Sequence, residues 1–363
     1  MGLIRKDDPM RPNLRGLTPA GQRASRLMLL LSAGFCFASA LQGASTPDPY
    51  AQNSSALALG ASSSFAWRQD SASVALIRGN QVVWQFNYAK DQSKPFFHPL
   101  ALPGGPVLTW EAPPDHPWHH ALWFSWKFIN SVNYWEENKQ TGKADGLTRW
   151  DRVQVKTHPD FSADFALDLE YGPAPENVVL REKRLLRVHP PAPDGAYSID
   201  WALTFTAVAP DVVLDRTPLP DEPDGKLFGG YAGLSARLAK NWEDVQVVTS
   251  SGPVQFRDGR YRGRSPGLDY SGRVDGRMAG LAILAHPDNL NAPSPWYVIY
   301  TPEMRYFSPA VLCYGKHAMK AGQSISLRYR VWIHPDRWDS ARIERESELF
   351  DADCRQNKSL NQN

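Results

Sequence analysis

The chain contains, at its most aromatic point, the run Pro113-Pro114-Asp115-His116-Pro117-Trp118-His119-His120-Ala121-Leu122-Trp123-Phe124-Ser125-Trp126. Its three prolines predict that the run begins in a loop, because proline lacks the backbone N–H that regular structure needs. Its second half has the period of two that is typical of a β-strand, since Leu122 and Phe124 alternate with Trp123 and Ser125. A loop that leads into a short strand is therefore the expected local structure.

Segments of the same kind recur on both sides of this run. Ser73–Ile77 and Val82–Phe86 flank a Gly79-Asn80 turn and predict a β-hairpin. Strands and helices do not alternate as in a parallel α/β fold, and a helix is expected only at the C-terminus, from about Asp339 to Phe350. We therefore predict an all-β protein, a large antiparallel β-sandwich with a short C-terminal helix.

Composition excludes two classes of partner. The chain has 363 residues, is 42% hydrophobic and 21% charged, and carries a formal net charge of +2. Such a chain can bury a sizeable core. No dense run of Lys and Arg is present, so neither a nucleic acid nor an anionic membrane surface is expected as a partner.

The first 44 residues resemble a targeting segment. Arginines up to Arg26 precede the apolar run Leu27–Ala38, and small residues that suit cleavage lie between Ala38 and Ser45. The apolar run is shorter than the roughly 20 residues of a membrane-spanning helix. We expect a signal peptide at 1–44 that is cleaved, a periplasmic or secreted location, and no stable membrane insertion after cleavage.

The remaining chain is expected to form one folded domain. Residues 45–64 are small and polar and predict a flexible leader, 65–355 a single β-sandwich domain, and 356–363 a disordered tail. The mature chain retains Cys313 and Cys354, and the sequence leaves open whether they pair or remain free thiols.

Titratable residues are concentrated where the loop meets the strand. Between Phe96 and Glu137 lie four of the nine histidines and five of the thirteen tryptophans. Asp115, His116 and His119 suit acid/base catalysis, with the carboxylate orienting an imidazole. A divalent metal held by His98, His116 and His119 is an alternative, as is a purely structural role.

Strand geometry separates the two adjacent histidines. His119 and His120 point to opposite sides if the strand has begun at His119, and His120 then shares the face of Leu122. An imidazole in a proline-rich loop is also expected to add little to the core, so its loss should leave stability nearly unchanged.

A second group of residues suits sugar recognition. Aromatic rings match the apolar faces of sugars, and amides and carboxylates match their hydroxyl groups. Glu136 is the best candidate for a second catalytic carboxylate beside Asp115. The candidate substrate-binding residues are His98, Trp118, His120, Trp123, Asn133, Tyr134, Trp135, and, from a later strand-end loop, His286 and Asp288.

The same segments resemble a known family. Asp115-His116-Pro117-Trp118-His119, Leu122-Trp123-Phe124 and Val132-Asn133-Tyr134-Trp135 are similar to motifs of the PmoA-type family, which carries the label "methane oxygenase". The resemblance extends over roughly residues 65–338 and departs at Ala121 and Ser131, where glycine is expected. It implies a domain similar to the galactose-mutarotase supersandwich, and a role in polysaccharide degradation.

Three functions remain open at this point. The first is an exported carbohydrate-active enzyme, either a glycoside hydrolase or lyase or a sugar epimerase, acting on a carbohydrate. The second is a carbohydrate-binding protein without catalytic activity, and the third is the metal-dependent oxygenase that the family label suggests. No cofactor is expected, although a divalent metal is possible.

Overall fold

The computed structural model describes residues 64–360, which fold as strands followed by one helix. The strands in chain order are β1 (Phe65–Gln69), β2 (Ser73–Arg78), β3 (Gln81–Asn87), β4 (Phe96–Leu100), β5 (Leu122–Ser125), β6 (Phe128–Ile129), β7 (Val132–Asn133), β8 (Leu147–Thr157), β9 (Ala163–Gly172), β10 (Leu180–Val188), β11 (Tyr197–Ala207), β12 (Asp211–Asp215), β13 (Gly233–Arg237), β14 (Trp242–Thr249), β15 (Gly252–Pro253), β16 (Arg260–Arg264), β17 (Gly267–Val274), β18 (Arg277–Ala285), β19 (Pro295–Tyr300), β20 (Arg305–Pro309), β21 (His317–Lys320) and β22 (Ser324–His334). The helix α1 is Ser340–Leu360.

The strands form two large antiparallel sheets and a small one. The first sheet has the order β1-β2-β3-β4-β5-β13-β20-β19-β16, and the second has the order β15-β14-β17-β18-β22-β11-β10-β9-β8. A four-stranded sheet follows the order β21-β12-β6-β7. The predicted hairpin is confirmed as the β2–β3 pair. The predicted all-β class and antiparallel sandwich are confirmed as well.

The two large sheets face each other across one core. Phe97 of the first sheet lies edge-to-face against Trp201 of the second, with ring centroids 5.8 Å apart. Phe124 of the first sheet stacks on Phe205 of the second, with ring centroids 5.2 Å apart. Such contacts between the inner faces of two sheets define a sandwich, and aromatic rings supply large buried apolar areas there.

Strand β10 shows how the sequence directs one face inward. Its residues alternate strictly between buried and exposed positions. The inward face nevertheless includes Glu182 and Arg184, which are buried and joined by two hydrogen bonds of 2.6 and 2.9 Å. Pairing is the condition under which such charges tolerate burial.

The C-terminal helix covers the outer face of the second sheet. Asp339 accepts a hydrogen bond from the backbone N–H of Arg342 at 2.8 Å and so caps the helix N-terminus. Ile343 and Phe350 are buried with Trp338 against that sheet. The helix extends ten residues beyond Phe350, its predicted end, and residues 356–360, expected as tail, belong to it.

Some predictions fall on residues that the structure does not describe. The signal peptide, its cleavage site and nearly all of the leader lie outside residues 64–360, as does the end of the tail. Within residues 64–360, no helix combines the length and the apolar character that crossing a membrane requires.

Candidate active site

The site lies on the face of the first sheet that points away from the main core. On β5, Leu122 and Phe124 enter the main core, whereas Trp123 joins a separate apolar cluster with Phe96 and Tyr306. Successive side chains of a strand point to opposite faces. The alternation seen in the sequence therefore separates core residues from residues that support the site.

The loop before β5 folds back on itself through short turns. The N–H of His116 donates to the carbonyl of Pro113 at 2.9 Å, and the N–H of His119 donates to the carbonyl of His116 at 2.9 Å. These turns place the His116 and His119 rings in a stack with centroids 4.7 Å apart. The two candidate catalytic imidazoles are thus adjacent.

Ala121 changes the direction of the chain directly before the strand. Its φ of 59° lies in the left-handed region, which disfavours side chains other than glycine. The strand alternation consequently does not extend back to His120. The expectation that His120 shares the face of Leu122 applied to a strand that begins at His119, but β5 begins at Leu122, and the His120 ring stacks on Phe96, at 5.1 Å, on the other side of the sheet.

His119 is enclosed by aromatic rings. Its side chain is only 5% exposed, and its ring lies 5.5 Å from Tyr306 and 5.1 Å from Trp123. Burial lowers the pKa of the imidazole well below its usual range, and the nearby positive charges, His116 foremost and then Arg237, act in the same direction. The ring is therefore neutral at neutral pH.

One nitrogen of His119 has no partner. Its Nδ1 is buried and accepts or donates no hydrogen bond within the described part of the chain. Buried polar atoms are nearly always hydrogen-bonded, so an exception calls for an explanation. An imidazole that is neutral, and that the fold leaves incompletely paired, is suited to interact with a bound ligand.

His116 belongs to a chain of charges. Its Nδ1 hydrogen-bonds Oδ2 of Asp115 at 2.9 Å. Nη2 of the fully buried Arg237 donates to both oxygens of Asp115, at 2.9 and 2.8 Å. Burial alone raises the pKa of Asp115, but the hydrogen bonds with His116 and Arg237 outweigh it and lower that pKa. An ionised Asp115 fixes the His116 ring as an acid/base catalyst requires.

Glu136 is also held as a carboxylate. It pairs with the ammonium group of Lys127 and accepts a hydrogen bond of 2.7 Å from the Tyr231 hydroxyl. Burial raises its pKa, but the charge and hydrogen bond of Lys127 outweigh this and lower the pKa. Glu136 is therefore an acceptor for hydroxyl groups rather than a proton donor.

His120 belongs to a buried network behind the site. Its Nε2 donates to Oε1 of Glu137 at 2.8 Å, and Lys94, 1% exposed, pairs with the same carboxylate. Lys94 also donates to the carbonyl of Trp135 at 3.1 Å. Burial raises the pKa of Glu137, but His120 and Lys94 outweigh it and lower the pKa to about 2. The network fixes the segment that carries Trp135 and Glu136.

These groups surround a cavity of about 460 Å³, a size common for small-molecule sites. Its walls bring together six of the predicted residues, namely Asp115, His116, Trp118, His119, Trp135 and Glu136. They also include residues that the sequence did not single out, namely Phe228, Tyr231, Arg260, Tyr297, Ile299, Thr301, Glu303, Met304 and Tyr306.

Several predicted substrate-binding residues lie near the cavity but do not line it. Trp123 is fully buried beneath His119, and Tyr134 is buried in the main core, on the opposite side. Asn133 accepts a hydrogen bond from the N–H of Trp135 at 2.9 Å and so shapes its own turn. His98 hydrogen-bonds the Thr109 hydroxyl at 3.0 Å. These side chains are engaged by the protein itself.

His286 and Asp288 lie elsewhere. His286 is 2% exposed, faces Asp351 of the helix at 3.3 Å and contacts the edge of Phe350. Asp288 is next to it and exposed. The strand β18 that leads to them belongs to the second sheet, so their loop meets the C-terminal helix and not the cavity.

The proposed metal ligands do not fit a metal ion. His98 is engaged with Thr109 and is not part of the wall that contains His116 and His119. Among residues 64–360, no three His, Cys, Asp or Glu side chains are grouped so that they could hold a metal. No step of the chemistry is therefore assigned to a metal here.

The site residues that sequence analysis did not identify come from distant strands. Arg237 and Tyr306 lie in β13 and β20, far along the chain from Asp115. A lone Arg in Leu234-Ser235-Ala236-Arg237 gives no sign of a role. Only strand pairing, which places β13 beside β5 and β20, brings them to the site.

A larger groove of about 680 Å³ lies between the outer face of the second sheet and α1. Both of its carboxylates are held in ion pairs: Asp200 pairs with Arg330 and His189, and Asp164 pairs with His158. It has no counterpart of the stacked histidines. The smaller cavity is therefore the better candidate for chemistry.

Comparison with protein families gives one match over most of the chain. A model described as "Family of unknown function (DUF6807)" matches residues 73–348. The methane oxygenase label receives no support from this match. Comparison with curated proteins gives no match.

Comparison with solved structures gives distant similarities. The galactosidase domain of an alpha-galactosidase-sucrose kinase matches at 6% identity and a TM-score of 0.35, over 74% of this chain but only 40% of that one. A galactose mutarotase related enzyme from Lactobacillus acidophilus matches at 11% and 0.33, over 75% and 97% of the two chains. A protein assigned as an aldose 1-epimerase from Klebsiella pneumoniae subsp. pneumoniae matches at 11% and 0.36, over 78% and 89%. Similarities this distant assign no activity to this chain.

Proposed function

The chain belongs to the family of unknown function DUF6807, and we propose that it is an exported carbohydrate-active enzyme that transfers protons on a sugar, as an epimerase or a lyase does. The observation that carries the proposal is the stack of His116 and His119, one ring bound to an ionised carboxylate and the other buried and neutral. Two adjacent imidazoles in different environments are suited to different roles, one as the acid/base residue and the other as a hydrogen-bond donor to a sugar oxygen.

His116 is the acid/base residue in this proposal. Asp115 orients its ring and stabilises the imidazolium that forms when His116 accepts a proton from the sugar. Arg237 keeps Asp115 ionised and in place. In an elimination the proton passes to the sugar oxygen whose C–O bond breaks; in an epimerisation it returns to the sugar after its ring has opened and rotated, so that the other stereoisomer forms.

His119 stabilises charge on a sugar oxygen. A neutral imidazole can donate an N–H to an oxygen that becomes negative during the reaction without first losing a proton of its own. Trp118 and Trp135 supply flat apolar surfaces for the sugar ring, and Glu136 accepts hydrogen bonds from its hydroxyls.

A two-carboxylate glycosidase is the less favoured version of this activity. That chemistry needs one carboxyl group that is protonated and one that is ionised. Asp115 and Glu136 both have lowered pKa values, so neither is a proton donor near neutral pH. Epimerisation or elimination by the histidine pair agrees better with these environments.

The test is a screen of the mature protein against plant and algal oligosaccharides, aldoses and keto-sugars, followed by NMR and mass spectrometry. An epimerase or lyase yields a new stereoisomer or an unsaturated product, and each requires His116. A sugar that binds but never changes supports the alternative of a non-catalytic binding protein. A product that forms only with added metal and O₂ supports the oxygenase alternative.

Export is part of the proposal and has its own test. The sequence of the first 44 residues supports cleavage between Ala38 and Ser45 and a periplasmic or secreted location. N-terminal sequencing of the protein from periplasm or medium should begin in that interval. An intact Met1 in the membrane fraction contradicts it.

A further inference from the structure

Strand β16, at the edge of the first sheet, carries three arginines on one face. Arg260, Arg262 and Arg264 alternate with other residues, so their side chains share a side of the strand. Arg262 donates to the carbonyls of Gly229 and Leu227 and lies over the Tyr297 ring, at 4.4 Å from its centroid. Its position is fixed by the neighbouring loop.

Arg264 is fixed in the same manner. Its Nη1 donates to the carbonyls of Asn291 and Pro293 at 2.6 and 3.0 Å. Arg262 and Arg264 thus each tie the edge strand to backbone carbonyls of another segment. Neither guanidinium lines the cavity.

Arg260 differs from both. It lines the cavity, one of its donors reaches a carbonyl on its own turn, that of Asp258 at 3.0 Å, and its guanidinium lies beside the Tyr297 hydroxyl. Its Nε is buried without a hydrogen-bond partner, and it makes no ion pair within the described part of the chain. A guanidinium carries five N–H donors, so Arg260 presents N–H donors in the cavity that the protein does not use.

The acidic groups of the wall do not neutralise it. Asp115 is engaged by Arg237 and His116, and Glu136 by Lys127 and Tyr231. Glu303 is exposed and forms no ion pair with Arg260. A carboxylate on the ligand would satisfy the remaining donors of Arg260, because a guanidinium and a carboxylate form two parallel hydrogen bonds.

We propose that Arg260 binds the carboxylate of an acidic sugar, so that the substrate class is carbohydrate containing uronic acid. The inference rests on the proposed function because it uses the same cavity. It adds a specificity-determining residue at the wall formed by β16 and β19, while the histidines lie at the wall formed by the loop before β5.

The test measures binding, without turnover, by calorimetry and ligand-observed NMR. The probes are D-glucuronate, D-galacturonate and D-mannuronate, each paired with its neutral hexose, and D-glucose 6-sulfate. We expect at least one uronate to bind about 10- to 100-fold more tightly than its neutral counterpart, the size of a charge-assisted hydrogen-bonded contact. Affinity for the sulfate ester should be lower than for the uronate.

The variants locate the effect. Arg260→Gln should remove the preference for the uronate over its neutral hexose, and Arg260→Lys should retain part of that preference because the charge remains. Arg257→Gln is the matched control, an exposed arginine three residues earlier that does not line the cavity. If Arg260→Gln does not fold, the Arg260→Lys result decides.

Three outcomes overturn the inference: no uronate binds more tightly than its neutral partner, the preference survives in Arg260→Gln, or the sulfate ester binds at least as well as the uronate. These outcomes are distinct from failure of the proposed function. Turnover of neutral sugars that depends on His116 contradicts this inference alone. Uronate binding that depends on Arg260, with turnover unaffected by His116→Ala, contradicts the proposed function alone.

Discussion

His119 and Tyr306 lie ring against ring, with centroids 5.5 Å apart and an interplanar angle of 29°. Tyr306 is itself buried and bonds the Ser235 hydroxyl at 2.9 Å, so the surface on which His119 rests is rigid. The sequence predicts that a loop histidine adds little to stability. The structure contradicts the premise of this prediction for His119, because its ring is buried against Tyr306 and Trp123.

His119→Phe separates chemistry from packing. A phenyl ring keeps the flat stack and removes the buried nitrogen without a partner, so stability should be unchanged or rise by about 1 kcal/mol. Turnover should fall by about 10²-fold, the usual size for a lost proton-transfer or charge-stabilising group. Steady-state kinetics and chemical denaturation check the two parts.

Two further variants serve as comparisons for His119→Phe. His119→Ala should lose the same activity and also about 2 kcal/mol of stability, because it leaves a cavity. His158→Ala, on the outer side of the second sheet, should be silent in turnover. Full activity in His119→Phe would show that His119 is only a packing residue.

Stability should fall on mild acidification because of His119. Its pKa in the folded protein lies below the unfolded value of 6.5, so the unfolded state binds the proton first. The contribution is complete above about pH 6.5 and is lost as the pH falls below it, with a slope of at most about 1.4 kcal/mol per pH unit. The free energies of unfolding of wild type and His119→Phe, measured from pH 8 to pH 5, should diverge below pH 6.5.

His98 and His317 also have lowered pKa values, but they contribute equally to both proteins. Parallel curves would contradict the burial of a neutral His119.

Replacing one partner of the Lys94–Glu137 pair should cost more stability than replacing both partners. Glu137→Gln leaves the ammonium group of Lys94 buried without a carboxylate and should cost about 3 kcal/mol. The double variant Lys94→Met/Glu137→Leu should recover part of that loss. Denaturant unfolding of the two proteins measures the difference.

An exposed pair provides the control for this comparison. Lys320 and Asp211 form an ion pair with both side chains more than 70% exposed. Asp211→Asn should change stability by less than about 0.5 kcal/mol. An equal loss in Glu137→Gln and Asp211→Asn would show that the network behind the site is not desolvated.

Ser131→Gly should stabilise the protein. Asn130 and Ser131 form the two-residue loop between β6 and β7, with φ of 51° and 65°. A loop with two positive φ values prefers Asn-Gly, and Ser131 is exposed, so glycine relieves strain without loss of burial. We expect a gain of about 0.5–1 kcal/mol in the free energy of unfolding.

Ser324→Gly in β22 is the opposite case. The serine there lies in a strand and bonds the Thr206 hydroxyl at 2.7 Å, so glycine should destabilise by about 1 kcal/mol. A loss of stability in Ser131→Gly would contradict the assigned turn geometry.

The sequence by itself determined the class of fold and one wall of the site. Residue alternation identifies strands because side chains of a strand point to opposite faces, and turn residues mark where hairpins close. The loop Asp115–His119 and the segment Trp135–Glu136 were found as candidates because such a mixture of charges and aromatics has no role in a core. These signals are local, and a sequence carries local signals directly.

Only the tertiary structure decided how the site is completed and which candidates it leaves out. Tyr306 and Arg260 reach the cavity, and Arg237 reaches Asp115 in its wall, through the pairing of β13, β20, β19 and β16, and nothing in their neighbours along the chain indicates it. The face of His120 depends on where the strand begins, and Ala121 interrupts the strand period before β5. His286 was expected near the site, but its strand belongs to the other sheet. Sheet order and burial arise from contacts between distant segments, so the charge states of Asp115, His119 and Glu136 became known only with the fold.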